Sequence, residues 1–171
     1  VSDSDVLIPS VAEVVVSDTN PYYSSVDGLI YTKNMKTLIG CPPAKEIKKI
    51  KIPEQTERIN DYAFFECINL ENAVIPKNIE HINNGAFLAC TNLKSIEFPG
   101  SIKTISGEMC YGCESLTDVV FNGKIEKIGY GAFGECHALE FFDIPDTVTY
   151  IGSYAFEYCK SLEEITIPKG V

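Results

Sequence analysis

Cys110-Tyr-Gly-Cys113 is the residue group that comes closest to chemistry. Two thiols at this spacing can form a redox dithiol or one half of a zinc site. A zinc site needs a second ligand pair, and neither histidine supplies one, because His81 and His137 stand in unrelated positions along the chain. Five further cysteines, Cys41, Cys67, Cys90, Cys136 and Cys159, complete a set of seven. No nucleophile beside a base, glycine-rich phosphate loop or histidine pair at helical spacing accompanies them. Carboxylate pairs such as Glu163-Glu164 read as solvated surface. The chain is therefore expected to carry no catalytic residue, no cofactor and no metal.

A repeat explains the cysteines better than chemistry does. Cys67, Cys90, Cys113, Cys136 and Cys159 are evenly spaced, 23 residues apart, and Leu70, Leu93, Leu116, Leu139 and Leu162 keep the same step. Ile59, Ile82, Ile105, Ile128 and Ile151 form another column, and Phe64, Phe87, Phe133 and Phe156 a fourth, in which Cys110 takes the phenylalanine place. A fixed period in this range is the mark of a solenoid, in which each unit buries its apolar face against its neighbours. Cys110 and Cys113 then both belong to core columns, where cysteine acts as a small apolar side chain.

Within each unit the pattern predicts strand, helical turn, strand. In the copy that starts at Asn78, Ile79 and Ile82 fit a short extended piece. Ala86, Phe87, Cys90 and Leu93 fit one face of a two-turn helix, and Ile96-Glu97-Phe98 alternates as a half-buried strand ended by Pro99. The fold class expected is an α/β repeat solenoid, with units stacked through parallel strands. Five repeats are assigned to residues 47–171. Residues 11–46 read as a partial repeat, with Val11, Val14 and Val16 as a strand, followed by an inserted β-hairpin in which Leu29-Ile30-Tyr31 and Leu38-Ile39 flank Lys33-Asn34-Met35-Lys36. The whole chain, 1–171, counts as one elongated domain, cut from a longer array.

Acidic residues outnumber basic ones by 24 to 14, a net charge of −10, which disfavours nucleic acid and anionic lipid as partners. No apolar run reaches the length of a membrane-spanning helix, so membrane insertion is not expected, and the N-terminus lacks the layout of a signal peptide.

Function is expected in what does not repeat. Two outward columns of the second strand vary while the core stays fixed: Lys49, Asn72, Ser95, Asp118, Phe141, Glu164 and Lys51, Val74, Glu97, Val120, Asp143, Thr166. Lys51, Val74, Glu97, Val120, Phe141, Asp143 and Thr166 make up the candidate binding face, with Val74, Val120 and Phe141 as apolar anchors. A second group, Tyr62, Phe65, Tyr111, Tyr130, Tyr154 and Tyr158, is placed on the turn side, where aromatic rings could meet protein or glycan.

The segment Phe142-Asp143-Ile144-Pro145, continuing through Val148-Thr149-Tyr150-Ile151-Gly152 to Ala155-Phe156-Glu-Tyr-Cys159, resembles the BspA-like leucine-rich repeats. The hairpin around Tyr22-Tyr23 and Asp27-Gly28 is similar to an element found between repeat blocks of that family. Met109-Cys110 and Asn122-Gly123 depart from the pattern in the third repeat. The resemblance implies a right-handed β-α superhelix on secreted or surface-attached proteins, without catalysis, that binds protein partners or mediates adhesion. A structural stalk and a carbohydrate-binding module are the alternatives. It implies an extracellular setting, in which disulfides would be ordinary, yet the core position of the cysteines argues for free, buried thiols.

Overall fold

The computed structural model describes residues 10–171. It opens with an antiparallel run of three strands, β1 (Tyr23–Val26), β2 (Leu29–Thr32) and β3 (Thr37–Gly40). β1 and β2 are joined by Asp27 (φ 50°) and Gly28 (φ 74°), the pair of left-handed residues that a tight type I′ hairpin requires. Gly28 is also sterically fixed, since a Cβ there would lie 2.6 Å from Lys45 Nζ. The expected hairpin is thus β2 and β3, and β1 extends it outward.

From β3 onward pairing becomes parallel. β3 pairs with β4 (Arg58–Ile59), and β4 with β6 (His81–Ile82), in the register Thr37↔Arg58↔His81. A second parallel sheet joins β8 (Thr104–Ile105), β10 (Lys127–Ile128) and β11 (Tyr150–Ile151) through Thr104↔Lys127↔Tyr150. A third joins β5 (Asn72–Val74), β7 (Ser95–Phe98) and β9 (Asp118–Phe121) through Asn72↔Ser95↔Asp118. From β4 onward, successive coils of the solenoid pair residues one sequence period apart, so the columns read from the sequence are columns in space.

The central turn is not helical. Among the described residues there is no helix, and the expected α/β architecture is corrected to a β-solenoid. Two positions in every turn are left-handed. The first is filled by Tyr62, Gly85, Glu108, Gly131 and Tyr154, the second by Glu66, Ala89, Gly112, Glu135 and Tyr158, with φ between 54° and 72° throughout. An α-helix cannot pass through such residues. The backbone closes short turns instead: in the first coil Phe65 N–H donates to Tyr62 O (2.9 Å), Cys67 N–H to Phe64 O (3.1 Å) and Leu70 N–H to Cys67 O (3.0 Å). Alternate amides point along the solenoid axis. Tyr62, Phe64 and Glu66 donate to Asn84, Ala86 and Leu88 O at 3.0, 2.8 and 3.0 Å, and the rule repeats in later coils, as in Phe87 to Met109 O (3.0 Å) and Phe133 to Ala155 O (2.8 Å). The apolar spacing that reads as one face of a helix is produced here by turns, because both place the same residues inward.

Three strand expectations also change. Val11, Val14 and Val16 form no strand, although all three are half-buried and Val16 N–H bonds Ser25 Oγ at 3.0 Å. The Ile47-to-Ile52 stretch contributes a single bridge, Lys49↔Asn72. Residues 140–144 and 163–167 form no strand and lie outside every sheet.

The sheet carrying β4 and β6 stops before β8. Elsewhere in this column a backbone amide crosses to the preceding coil, Asn83 to Ile59 O (3.0 Å) and Gly129 to Ile105 O (2.8 Å). Between β6 and β8 the Ser106 hydroxyl crosses instead, to Ile82 O at 2.7 Å. A cleft of about 330 Å³ opens there.

Deleting residues 78–100, one full period, is expected to leave a shorter folded solenoid with a cooperative circular-dichroism melt, whereas removing ten residues from the same stretch abolishes it. Ala89 is in the left-handed region at φ 57° where the next coil has Gly112. Ala89→Gly is therefore expected to raise stability by about 1 kcal/mol in urea titration, because the Cβ strain of that conformation is removed.

Candidate functional site

The cysteines occupy the middle of the turn, all seven buried and free. Cys90 Sγ lies 3.0 Å from Phe64 O, Cys113 Sγ 3.2 Å from Phe87 O, Cys136 Sγ 3.3 Å from Cys110 O, and Cys159 Sγ 3.1 Å from Phe133 O. Each thiol donates to a carbonyl of the preceding coil while turn amides reach the following one. Cysteine thus serves as a small apolar filler that also satisfies a buried acceptor, a role the sequence reading missed although the donor chemistry of the thiol signals it. Burial pushes the Cys90, Cys110 and Cys136 thiols up, and Cys159 less so. At Cys67 a hydrogen bond with Cys41, then burial, acts in the same direction. A thiol that resists ionisation is a poor nucleophile and a poor metal ligand. Cys110 and Cys113 are both fully enclosed in the core, and among the described residues no group of three or more ligating side chains could hold a metal.

His81 is exposed on β6, and His137 is half-buried in the fourth coil's turn. The aromatic group expected on the turn side divides. Tyr62 pairs edge-on with Phe65 at 6.4 Å, and its ring covers Gly85 so closely that a Cβ there would lie 2.4 Å from Tyr62 Cε1. Tyr130 and Tyr154 form a separate edge-on pair at 5.5 Å. Tyr111 Oη bonds Glu135 Oε1 at 2.9 Å, which pushes its hydroxyl pKa up to about 12.

The sheet β5-β7-β9 carries the expected binding face. Val74, Glu97 and Val120 stand side by side in register, the valines exposed, with Asn122 Nδ2 donating to Glu97 Oε1 at 2.6 Å. Lys51 is exposed in the coil before β5, outside any strand. Phe141, Asp143 and Thr166 do not continue the sheet. They line an open cleft of about 900 Å³ together with Glu140, Glu163 and Glu164. Phe141, at 82% exposure, is the most exposed large apolar side chain among the described residues.

Side-chain size explains why the ladder stops there. The inward column of this sheet reads Ala73, Ile96, Val119, Phe142 and Ile165. Phe142 is buried, with its ring 4.7 Å from Phe156, 4.9 Å from Phe133 and 6.1 Å from Phe121. An aromatic ring in a column of aliphatic residues needs more room in the layer, and the segment that carries it does not pair with β9. Charge acts in the same direction. Glu71 is bonded by Lys48 at 2.9 Å and by Lys94 at 3.2 Å, one coil to either side, and these bonds, Lys48 first, hold its carboxyl below the usual carboxylate range. The same column continues as Thr117, Glu140 and Glu163, so the last two coils set like charges side by side with no lysine between them. This third column was absent from the sequence reading, though its period is as plain there as that of the other two.

A stack of short parallel strands joined by turns, with an apolar column at every inward place, defines a leucine-rich repeat solenoid. The family described as BspA type leucine rich repeat region (6 copies) matches residues 43–140 and 126–171, and the chain belongs to it. Solved structures agree. A leucine-rich repeat protein from Eubacterium ventriosum is 27% identical over 95% of this chain and 50% of its own length, with a TM-score of 0.75. A leucine-rich cell surface protein from Faecalibacterium prausnitzii is 32% identical over 84% of this chain and 39% of its own, with a TM-score of 0.77. The pneumococcal vaccine antigen PcpA, 22% identical over 88% of this chain and 38% of its own with a TM-score of 0.68, shares the fold. The chain thus spans half or less of the length of these three proteins. No curated protein matches it in sequence.

The raised thiol pKa values carry a pH dependence. Unfolded thiols ionise near 9.0, whereas folded ones stay protonated to higher pH. Their contribution is fully present below pH 9 and is lost as pH rises beyond it. Between pH 8 and pH 10 the urea unfolding free energy is expected to fall by about 1 kcal/mol for each such thiol. Iodoacetamide at neutral pH is expected to label none of the seven cysteines in the native protein and all of them in denaturant, read by mass spectrometry.

Proposed function

We propose that the chain is a non-catalytic interaction module of a secreted or cell-surface protein and binds a protein partner through the side of the solenoid formed by β5, β7, β9 and the two coils beyond. Leucine-rich repeats are in general modules for protein interaction, and the Faecalibacterium relative is described as a cell surface protein. The observation that carries the reading is the contrast between columns. Inward positions stay apolar from coil to coil, whereas Lys51, Val74, Glu97, Val120, Phe141, Asp143 and Thr166 switch between charged, polar and apolar types. Val74 and Val120 remain exposed at 59% and 46% on a regular strand surface, where the fold itself has no use for them. Apolar anchors framed by polar neighbours are what a protein interface requires.

The test is binding of the labelled chain to a panel of immobilised extracellular proteins. The double variant Val74→Asp/Val120→Asp is expected to lose at least about tenfold in affinity for whatever the wild type binds while staying folded by circular dichroism, with a lower melting temperature because two carboxylates then flank Glu97. Absence of wild-type binding across the panel assigns the chain to a spacer role, a profile retained in full by the variant removes Val74 and Val120 from the binding surface, and signal confined to a glycan array assigns the chain to carbohydrate recognition by the tyrosine side.

A further inference from the structure

Within that interaction face, we propose that the cleft between residues 140–143 and 161–166 takes up an extended, lysine- or arginine-rich segment of the partner, which adds to the open strand edges as a β-strand.

Three independent features meet there. The first is unpaired backbone. Residues 140–144 and 163–167, on either side of the cleft, belong to no sheet, and among the described residues no backbone hydrogen bond joins either segment to another coil. An open strand edge is a template for another strand, and main-chain pairing of this kind supplies affinity without requiring one particular sequence. The gap lies inside the array, with the fifth coil beyond it.

The second feature is charge. Glu140, Asp143, Glu163 and Glu164 line the cleft, all exposed, and no ion pair reaches any of them among the described residues. Two coils earlier the equivalent column alternates Lys48, Glu71 and Lys94 and neutralises itself. Where the column ends in Glu140 and Glu163 it supplies no cation of its own. A basic segment is complementary, whereas a second copy of this chain, with net charge −10, is repelled.

The third is Phe141. Its neighbour Phe142 goes inward and fills the core, while Phe141 points outward into the mouth of the cleft. Alternation along a strand places one side chain of this pair against the core and the other against the ligand. Phe141 then packs on the aliphatic stems or an apolar residue of the incoming segment.

Fluorescence anisotropy with the intact chain and an acetylated, amidated peptide of alternating lysine and valine tests this directly. The peptide is expected to bind and to lose at least about tenfold in affinity when alternate amides are N-methylated, a change that keeps its charge but removes strand hydrogen bonding. Phe141→Ser and the double variant Glu163→Gln/Glu164→Gln are each expected to weaken binding to a similar extent. Val74→Asp/Val120→Asp leaves it intact, so the outcome does not depend on whether those valines bind a partner. A further variant, Phe142→Ile, restores the aliphatic column and is expected to close the ladder. Amide exchange at residues 140–144 then slows and the peptide no longer binds. Equal binding of the N-methylated peptide, absence of binding by either peptide, or indifference to Phe141→Ser overturns the proposal. The first of these outcomes identifies plain charge attraction.

Discussion

Backbone hydrogen bonding between the turns of successive coils is the constraint on which the rest of this solenoid depends. Alternate amides of each turn donate to carbonyls of the next coil, as Tyr62, Phe64 and Glu66 do to Asn84, Ala86 and Leu88. That arrangement requires two left-handed residues per coil, and it fixes the repeat length, because an extra residue would rotate every amide out of line. It also leaves a narrow interior at the turn. Alanine, phenylalanine and cysteine each fill one place there, and the thiol sends a hydrogen bond back toward the preceding coil. Every turn is therefore tied in both directions, forward by amides and backward by sulfur.

Most of the architecture is legible in the sequence because the period is. Columns drawn by counting residues reappear as registers in space, and the β2–β3 hairpin is announced by the apolar runs Leu29-Ile30-Tyr31 and Leu38-Ile39 on either side of polar Lys33-Asn34-Met35-Lys36. The helical turn was misread for a definite reason. Ala86, Phe87, Cys90 and Leu93 have the spacing of a helix face, and a chain of tight turns has it too. The residues that distinguish the two are the left-handed ones, and glycine marks them at Gly85, Gly112 and Gly131 only, while Tyr62, Glu66, Ala89, Glu108, Glu135, Tyr154 and Tyr158 accept the same geometry. Backbone pairing across coils compensates their strain, and pairing of that kind has no local signature.

The outward columns are legible in the sequence by position and not by shape. Val74, Glu97 and Val120 fall side by side as their columns require, yet Phe141, Asp143 and Thr166 end up around a cleft that a regular sheet would not contain. The signals for the break are Phe142 in an aliphatic column and glutamate after glutamate at Glu140 and Glu163. Both are departures from a repeat, and they become visible once each column is asked what size and charge the next coil can tolerate. In a repetitive fold, information about partners is carried by the exceptions.

One consequence concerns how the molecule deforms. The turn ladder runs without interruption from the first coil to the fifth, while one strand face is open between β6 and β8 and the other beyond β9. A body stitched continuously along one spine, slit at one level on one flank and left open over its last coils on the other, is like a book bound at the spine whose final leaves are loose along one side. Bending is easiest where a flank is open, so the curvature of the last coils is more adjustable than that of the first.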